Sequence, residues 1–485
     1  MADEMELKLD LTTEAADAVE AAALFPGNPD IAEQRAIYFD TPDHVLLKLG
    51  LSLRIRRSAK KRIQTVKANG ASAAGLFVRS EWERPVRNDT PVLDGTTPIR
   101  VRLGDAADAI GPAFEVRIER RSWIISDGTA TIELALDRGE AVAAERHSTI
   151  CEIELELKKG EPAALFALAR RLDAVAPVRL GVQSKAERGY RLAGPDGTKV
   201  KAEPVTLSNE MTAADAFRHI VQSCLRQFRL NEALLMAGRD AEALHQARVA
   251  LRRLRSAFSI FKPVISGEVH VSLREELRWL AAELGDARNL DVLLERAKPG
   301  ALHDRIAAAR EAAYDRVGDV LAQARVRALA LDLTEWTASG DWLEAPGGTH
   351  DPHQPARNFA ITALDRFRRK VKKAGRELAH VDDEARHQVR KDAKKLRYAS
   401  EFFASLFDHK RERRRHKKFV AGLEVLQDQL GALNDFATAP EVLGKLGLAD
   451  DPGASRLLAG GKRKALLKAA AEAHEDWIDM KRFWR

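Results

Sequence analysis

Two short runs in the first third of the chain alternate charged with apolar residues: Glu4-x-Glu6-x-Lys8 followed by Asp10, and Glu152-x-Glu154-x-Glu156. On an extended strand every second side chain shares a face. Each run therefore gathers charge on one face, with Met5, Leu7 and Leu9 or Ile153, Leu155 and Leu157 on the other. Clustered carboxylates suit a hard divalent cation. Arg54 and Arg56 oppose Leu53 and Ile55 in the same way, and with Lys67, Arg117, Arg120 and Lys185 they offer donors to a multiply charged anion. Acids and bases together suit a metal-chelated chain of phosphates. Arg117 and Arg120 differ in parity, so both reach one face only across a bulge. Glu81 and Glu83 share a face and either extend the acidic side or meet solvent. Cys151 has no histidine near it in the motif and reads as an ordinary small residue.

A second constellation lies in the other half. HQARVALRRLRSAFSIF from His245 and HQVRKDAKKLRYASEFF from His387 align without a gap at an offset of 142 residues. On a helix His245, Arg248, Arg252 and Arg255 form one stripe, and His387, Arg390, Lys394 and Arg397 form its copy. Apolar residues such as Leu251, Leu254 and Phe258 run beside the first stripe, so the helix can dock on a core and still present a basic edge. Two such edges would line one cationic groove, which suits a flexible polyanion of repeating phosphates. Few aromatics lie among these bases, so sequence-specific nucleic acid recognition is not expected. Metal binding by the histidines is disfavoured, because no second ligand stands at i+4 on the same face. Leu284-Gly285-Asp286-Ala287-Arg288-Asn289 pairs loosely with Leu430-Gly431-Ala432-Leu433-Asn434-Asp435, extending the duplication.

The elements that must position these residues differ between the halves. The chain of 485 residues is too long for one core. Residues 1–208 carry 30 Lys+Arg against 32 Asp+Glu, and residues 209–485 carry 49 against 40, with 11 of the 13 histidines. The second half is thus the basic body, and its charge alone suits either a polyanionic partner or a solvated basic surface with no specific partner. The first half reads as strands around 5–11, 51–57, 62–68, 79–86, 99–103, 113–125, 130–137 and 148–158, with helices at 13–23 and 161–174. A dry core cannot hold so many ions. Either the charged faces meet solvent, as in an ordinary sandwich, or they line the wet interior of a barrel of about eight strands. The second half reads as helices at 211–237, 239–262, 269–284, 301–329, 355–378, 383–407, 410–431 and 461–479, with a Gly/Pro-rich break from Thr337 to Pro355 between two similar units. No apolar run approaches a bilayer span, and no membrane association is expected. MADEMELKLD lacks the pattern of a secretory leader, and two cysteines cannot build a disulfide framework, so a reducing cytoplasm is expected.

Residues 1–193 resemble the CYTH domain of the triphosphate tunnel metalloenzymes. The likeness rests on Glu4 to Lys8, Tyr38-Phe39-Asp40-Thr41, Leu51 to Arg56, Thr65-Val66-Lys67, Leu136-Asp137-Arg138-Gly139, Glu152 to Lys158 and Ser184 to Tyr190, in that order. The resemblance implies an eight-stranded antiparallel tunnel that binds triphosphate with Mg²⁺ or Mn²⁺ and hydrolyses it. By position, Glu4, Glu6, Glu152, Glu154 and Glu156 would contact metal. Lys8, Arg54, Arg56, Lys67, Arg117, Arg120 and Lys185 would hold phosphates, and Glu4, Glu6, Lys8 and Lys185 would form the catalytic set. Residues 209–485 are similar to the CHAD domain, whose modules bind inorganic polyphosphate, and this implies that role for the two basic stripes.

The expectation is a multidomain α+β chain. A tunnel domain with flanking helices spans 1–200, and an all-α domain of two duplicated bundles spans 209–485, with repeats at about 209–336 and 355–485. The expected activity is a metal-dependent inorganic triphosphatase tethered to a module for long-chain polyphosphate, in the cytoplasm and associated with polyphosphate granules. The alternatives are a polyphosphate-binding or granule-associated protein without turnover, and a tunnel enzyme acting on a nucleoside or thiamine triphosphate, including an adenylate cyclase.

Overall fold

The computed structural model describes residues 4–485 apart from positions 23, 60, 69–73, 195–198, 266, 345–348, 379, 452 and 455–462. The expected turn at Asn69-Gly70 falls outside the described residues. Two compact units are present: residues 1–198 with 324–339, and residues 199–323 with 340–485.

The first unit runs β1 (Glu4–Asp10), α1 (Thr13–Ala21), β2 (Asp30–Asp40), α2 (Val45–Lys48), β3 (Leu51–Ser58), β4 (Lys61–Ala68), β5 (Leu76–Arg79), β6 (Glu81–Pro85), α3 (Pro98–Leu103), β7 (Gly111–Ser126), β8 (Thr131–Ala143), β9 (Arg146–Lys159), α4 (Ala163–Val175), β10 (Arg179–Leu180) and α5 (Lys185–Ala193). The sheet order is β10-β1-β9-β8-β7-β2-β3-β4-β6, with every pairing antiparallel. β5 and β6 are one extended segment divided at Ser80. β5 pairs with β1 and β6 with β4, which closes a ring of eight strand positions into a tunnel. β10 adds a short pairing at the Leu9–Asp10 end of β1.

Alternation decides which face of each strand turns inward. Leu51, Leu53 and Ile55 of β3 and Val66 of β4 face outward and pack with Leu46 of α2 and with Ile99 and Leu103 of α3. Leu7, Leu9, Ile153 and Leu155 are likewise buried, and α4 packs against β1 and β9. Burying each such side chain contributes roughly 1.5–3 kcal/mol, and the polar faces are left to the interior. That interior is not charged all round: Ala36 and Tyr38 of β2 and Val116 and Ile118 of β7 form a neutral wall, against which Ala186 and Tyr190 of α5 pack. Residues 99–103, expected as a strand, are helical. Pro98 stands in the first turn, and the i, i+4 pair Ile99 and Leu103 enters the core while Val101 is exposed. β2 supplies a strand that the alternation did not mark.

The second unit is helical: α6 (Ala213–Ala237), α7 (Ala241–Phe261), α8 (Glu268–Glu283), α9 (Gly285–Arg296), α10 (Ala301–Ala322), then, after α11 (Ala324–Ser339), α12 (Ala356–Ala374), α13 (Asp383–Phe402), α14 (Lys410–Lys445) and α15 (Arg463–Ile478). The expected helix 301–329 breaks at Gln323, and α11 packs within the first unit, where Arg327 donates to Asp173 and Arg170 to Asp332. The duplication is visible in the contacts. The starts of the two repeats exchange backbone hydrogen bonds, Ala213 N to Gln354 O and Ala356 N to Met211 O, both 2.9 Å. Phe261 and Phe403, equivalent at the 142-residue offset, meet at 5.9 Å, and Phe217 and its equivalent Phe359 both pack on Phe261. α14 runs continuously where the first repeat is divided into α8 and α9. Among the described residues no helix is long and apolar enough to cross a membrane.

Asp40 joins these layers beneath the tunnel wall. Its buried carboxylate accepts from the backbone N–H of Thr41 (2.7 Å), Leu46 (2.8 Å) and Leu47 (3.1 Å) and from the Tyr190 hydroxyl (2.7 Å). Removing it strands four donors. Asp40→Ala is expected to cost about 3 kcal/mol, and Tyr190→Phe about 1 kcal/mol. Denaturant unfolding of the first unit measures both, and a loss below about 1 kcal/mol in Asp40→Ala contradicts this role.

Candidate functional site: a two-signed tunnel and an acid-free cavity

The strand register sets the charges of the tunnel in rows. Reading across β1, β9 and β8, Asp10 faces Glu152 and Asp137; Lys8 faces Glu154 and Ala135; Glu6 faces Glu156 and Glu133. The first two rows are welded together. Lys8 Nζ, on a side chain 2% exposed, lies 2.7 Å from Glu152 and 2.5 Å from Glu154, with Glu6 at 3.6 Å. Lys185 Nζ, delivered by the first turn of α5, contacts Glu152 (2.5 Å), Asp137 (2.6 Å) and Glu154 (2.7 Å). Arg120 clamps Asp137 through two hydrogen bonds and also reaches Glu154. Lys185 is placed there by a capping box in which Ser184 and Glu187 bond each other's backbone.

Burial alone would raise the Glu154 carboxyl, but Lys185, Lys8 and Arg120 overcome it and hold it well below the usual carboxylate range. Glu152 is lowered for the same reason, against its own burial, by Lys185 and Lys8. Burial would lower Lys8, yet Glu152, Glu154 and Glu6 hold it well above the usual ammonium range.

The open part of the tunnel is a cavity of about 590 Å³. Glu6, Glu133, Glu154 and Glu156 stand on one side, and Arg54, Arg56 and Lys67 enter from β3 and β4. Arg54 donates weakly to the Tyr38 hydroxyl at 3.4 Å and keeps a buried Nε without a hydrogen-bond partner. Arg56 is pushed down by burial and by Arg54 and Arg120. Glu81 and Glu83 also line the cavity; Glu81 pairs with Lys67 at 3.0 Å.

The residues present fit a hard divalent cation. The trio Asp137, Glu152 and Glu154 brings its oxygens within 4.8 Å of one another, but two ammonium groups and a guanidinium already neutralise it. The Glu6, Glu156 and Glu133 row, directly opposed across the strands, presents carboxylates to the cavity with Lys158 as partner to two of them, 2.9 Å from Glu133 and 2.5 Å from Glu156. Clustered carboxylate oxygens of this kind suit a hard divalent cation.

The structure brings together Glu6, Lys8, Arg54, Arg56, Lys67, Arg120, Glu152, Glu154, Glu156 and Lys185. Glu4 opens β1, and its side chain is outside the described positions. Arg117 is corrected: β7 pairs with β8 without a bulge from Glu115 to Ser126, so Arg117 faces outward with Arg35 and donates to Glu115 at 2.5 Å. Sequence reasoning did not place Asp137, Glu133, Lys158 and Tyr38 in the site. Asp137 stands within a quoted motif and shares parity with Glu133, which is the signal that could have found both.

The helical unit holds a second cavity, of about 920 Å³, lined among the described residues by eleven lysines and arginines and two histidines and by no acid. Arg252 and Arg255 come from α7; His387, Arg390 and Lys394 from α13; Arg274 and Arg278 from α8; Arg366 and Lys370 from α12. Arg274 and Arg278 were not anticipated, because their spacing forms no repeated motif, whereas Arg366 and Lys370 belong to the basic block Arg366 to Arg376, which by sequence reads as an outer wall of the groove or an exposed rim. His245, Arg248 and Arg397 do not line it. Arg248 donates to Ala281 O at 2.8 Å and is pushed down to about 10 by burial, Arg252 and Arg288. Arg397 is held by Gln427 and Glu401. Arg248 and Arg390 lie close to Gly285 and Gly431, which supports the extended pairing of the repeats.

Comparison with known proteins agrees with this division. The CYTH domain model matches residues 2–190 and the CHAD domain model residues 219–444. An inorganic triphosphatase of Haemophilus influenzae is 34% identical over 159 residues, which is 32% of this chain and 44% of that protein's own length. An uncharacterized protein of Mycobacterium tuberculosis is 26% identical over 402 residues, covering 75% of each chain. The crystal structure of the CHAD domain from the plant Ricinus communis is 27% identical and covers 59% of this chain and 97% of that one, with a TM-score of 0.49.

The welded rows carry a pH signature. Carboxyls held low in the folded state stabilise it above the unfolded value of about 4.3 and lose that contribution as pH falls through the folded value. Glu152→Gln leaves two buried ammonium groups short of a counter-charge and is expected to cost about 3–5 kcal/mol at neutral pH while flattening the acid limb. Urea unfolding of the first unit between pH 3 and 7 measures this, and an unchanged acid limb contradicts it.

Proposed function

We propose that this chain, which joins a CYTH domain at residues 2–190 to a CHAD domain at residues 219–444, is a metal-dependent inorganic triphosphatase whose helical domain binds long-chain inorganic polyphosphate. One observation carries the reading: carboxylates, chiefly from β1, β8 and β9, and guanidinium and ammonium groups, chiefly from β3, β4, β7 and α5, line one shared cavity. A triphosphate repels an attacking water through its own charge, and Arg54, Arg56 and Lys67 offset that charge along the phosphate chain. Glu6, Glu154 and Glu156, with Glu133 beside them, would hold Mg²⁺ or Mn²⁺, and Glu4 belongs to the same proposed set. The cation, when bound, supplies Lewis-acid polarisation of phosphate oxygen and acidifies bound water.

Lys8, Lys185 and Arg120 fix the orientation of Glu152, Glu154 and Asp137, so the acidic wall is formed before substrate arrives. Lys185 and Arg120 also face the cavity and can share phosphate contacts. Tyr38, Ala36, Val116 and Ile118 make the neutral wall that confines the chain between the charged ones. The acid-free helical cavity, with buried Arg252, Arg366 and Arg390 Nε groups lacking hydrogen-bond partners, supports the polyphosphate reading, since only an anion compensates so many like charges. Tethering the two activities raises the local concentration of substrate at the tunnel. The same reading proposes a cytoplasmic setting with recruitment to polyphosphate granules.

Phosphate release from inorganic triphosphate with Mg²⁺ or Mn²⁺ tests the first part, with nucleoside and thiamine triphosphates alongside. Glu6→Ala and Arg54→Ala are each expected to lower kcat/KM at least about 100-fold. Undiminished release in both, or none with any metal, contradicts the enzyme reading. For the second part, Arg252→Gln with Arg390→Gln is expected to weaken polyphosphate binding and reduce the slope of log affinity against log salt by about 2, and an unchanged slope contradicts it.

A further inference from the structure

Within the helical cavity Lys394 differs from the lysines on either side of it. Lys391 pairs with Glu384 at 3.7 Å and Lys395 with Asp392 at 3.2 Å. Lys394, among the described residues, has no carboxylate within ion-pair distance and no hydrogen bond. It faces Arg390 and Arg397 on its own helix and Arg252 on α7, while α12 contributes further bases to the same cavity and Asp435 of α14 acts in the opposite sense. An ammonium group enclosed by guanidiniums is favoured to shed its proton. Burial first, then Arg390, Arg252 and Arg397, push Lys394 down to about 7. A sizeable share of the side chain is then free amine at neutral pH, and a desolvated lysine beside other cations is an activated nucleophile.

The same cations select the electrophile. Arg252 and Arg390, each with a buried Nε that has no hydrogen-bond partner, are placed to take a phosphate group. We infer that Lys394 is an acylation site that reacts with small acyl phosphates docked on Arg252 and Arg390, and that its acylation weakens the cavity's hold on polyphosphate. The inference rests on reading the cavity as a phosphate-binding site. In the step, the Lys394 nitrogen attacks the acyl carbonyl carbon. The new N–C bond forms as the C–O bond to phosphorus breaks, inorganic phosphate departs onto the guanidiniums, and the proton shed by nitrogen passes to the leaving phosphate. Nothing is oxidised or reduced. The product amide cannot take a proton, so the cavity loses the positive charge that Lys394 would offer a bound anion and gains bulk where the anion would lie.

The test uses the full chain with acetyl phosphate and follows acetylation of each lysine by peptide mass spectrometry. Lys394 is expected to react at least about 10-fold faster than Lys391 and Lys395, with its rate levelling near pH 7 while that of exposed Lys468 still climbs. Long-chain polyphosphate should suppress the reaction at Lys394 and spare Lys468. With phenyl acetate, which offers no phosphate to dock, the preference should shrink several-fold. Arg390→Gln, checked for retained helical content, should slow acetylation of Lys394 by acetyl phosphate, and Lys394-acetylated protein should bind polyphosphate about 10-fold more weakly. Equal rates at the three lysines, or no protection by polyphosphate, overturn the inference. Polyphosphate titration of unmodified protein separates the two failures. Binding without preferred acetylation sinks the acylation site alone, whereas absent binding sinks the reading of the cavity and the inference with it.

Discussion

Charge enclosed by protein must be balanced by charge of the other sign, or by a ligand that brings it. In the tunnel the balance is internal: Lys8 and Lys185 lie between Glu152, Glu154 and Asp137, and Arg120 closes the group. The demand explains the architecture around it. Only a closed barrel turns the charged faces of β1, β3, β4, β8 and β9 toward one space, so the eighth strand position is shared by β5 and β6 to pair both edges. Helices then cover the apolar outer faces, and α5 carries Lys185 into the cluster. The weld holds Glu154 in place and leaves the Glu6, Glu156 and Glu133 row open to the cavity.

The helical cavity poses the opposite case. Bases predominate in its lining, and burial together with mutual repulsion pushes Arg390, Arg255 and Lys394 down. Such a site is unfavourable while empty and gains most from a partner whose charges repeat. The duplication supplies this geometry: α7 and α13 pack together, and the reciprocal hydrogen bonds at the starts of the two repeats set them about a local twofold. One chain thus holds a two-signed site suited to a chelated short anion and a one-signed site suited to a long one.

Much of this was legible in the residues because the period-two pattern is strict where it matters. Glu6, Lys8, Glu152, Glu154 and Glu156 sit on inward faces as alternation requires, and Arg54 and Arg56 follow Leu53 and Ile55. Parity also identifies Arg117 as the outward residue once β7 is seen to lack a bulge between Arg117 and Arg120. The failures have physical causes. Residues 99–103 satisfy both periods, and Pro98 decides for helix. Asp137 and Glu133 share a face of an apolar strand, a local signal for both, but that they meet Glu152 and Glu156 comes from register with β9, which the strand's own pattern does not encode. Arg274 and Arg278 reach the helical cavity through tertiary packing, whereas Arg248 and Arg397 of the repeated stripe are drawn off to Ala281, Gln427 and Glu401.

The enclosure of both signs in one cavity is tested most directly by crystals of the full chain soaked with Mn²⁺ and a non-hydrolysable triphosphate analogue. Anomalous density for manganese among Glu6, Glu154 and Glu156, with the phosphates spanning to Arg54, Arg56 and Lys67, is the result this account predicts. Manganese and analogue bound on the outer surface, or an empty tunnel while the analogue binds elsewhere, would contradict it.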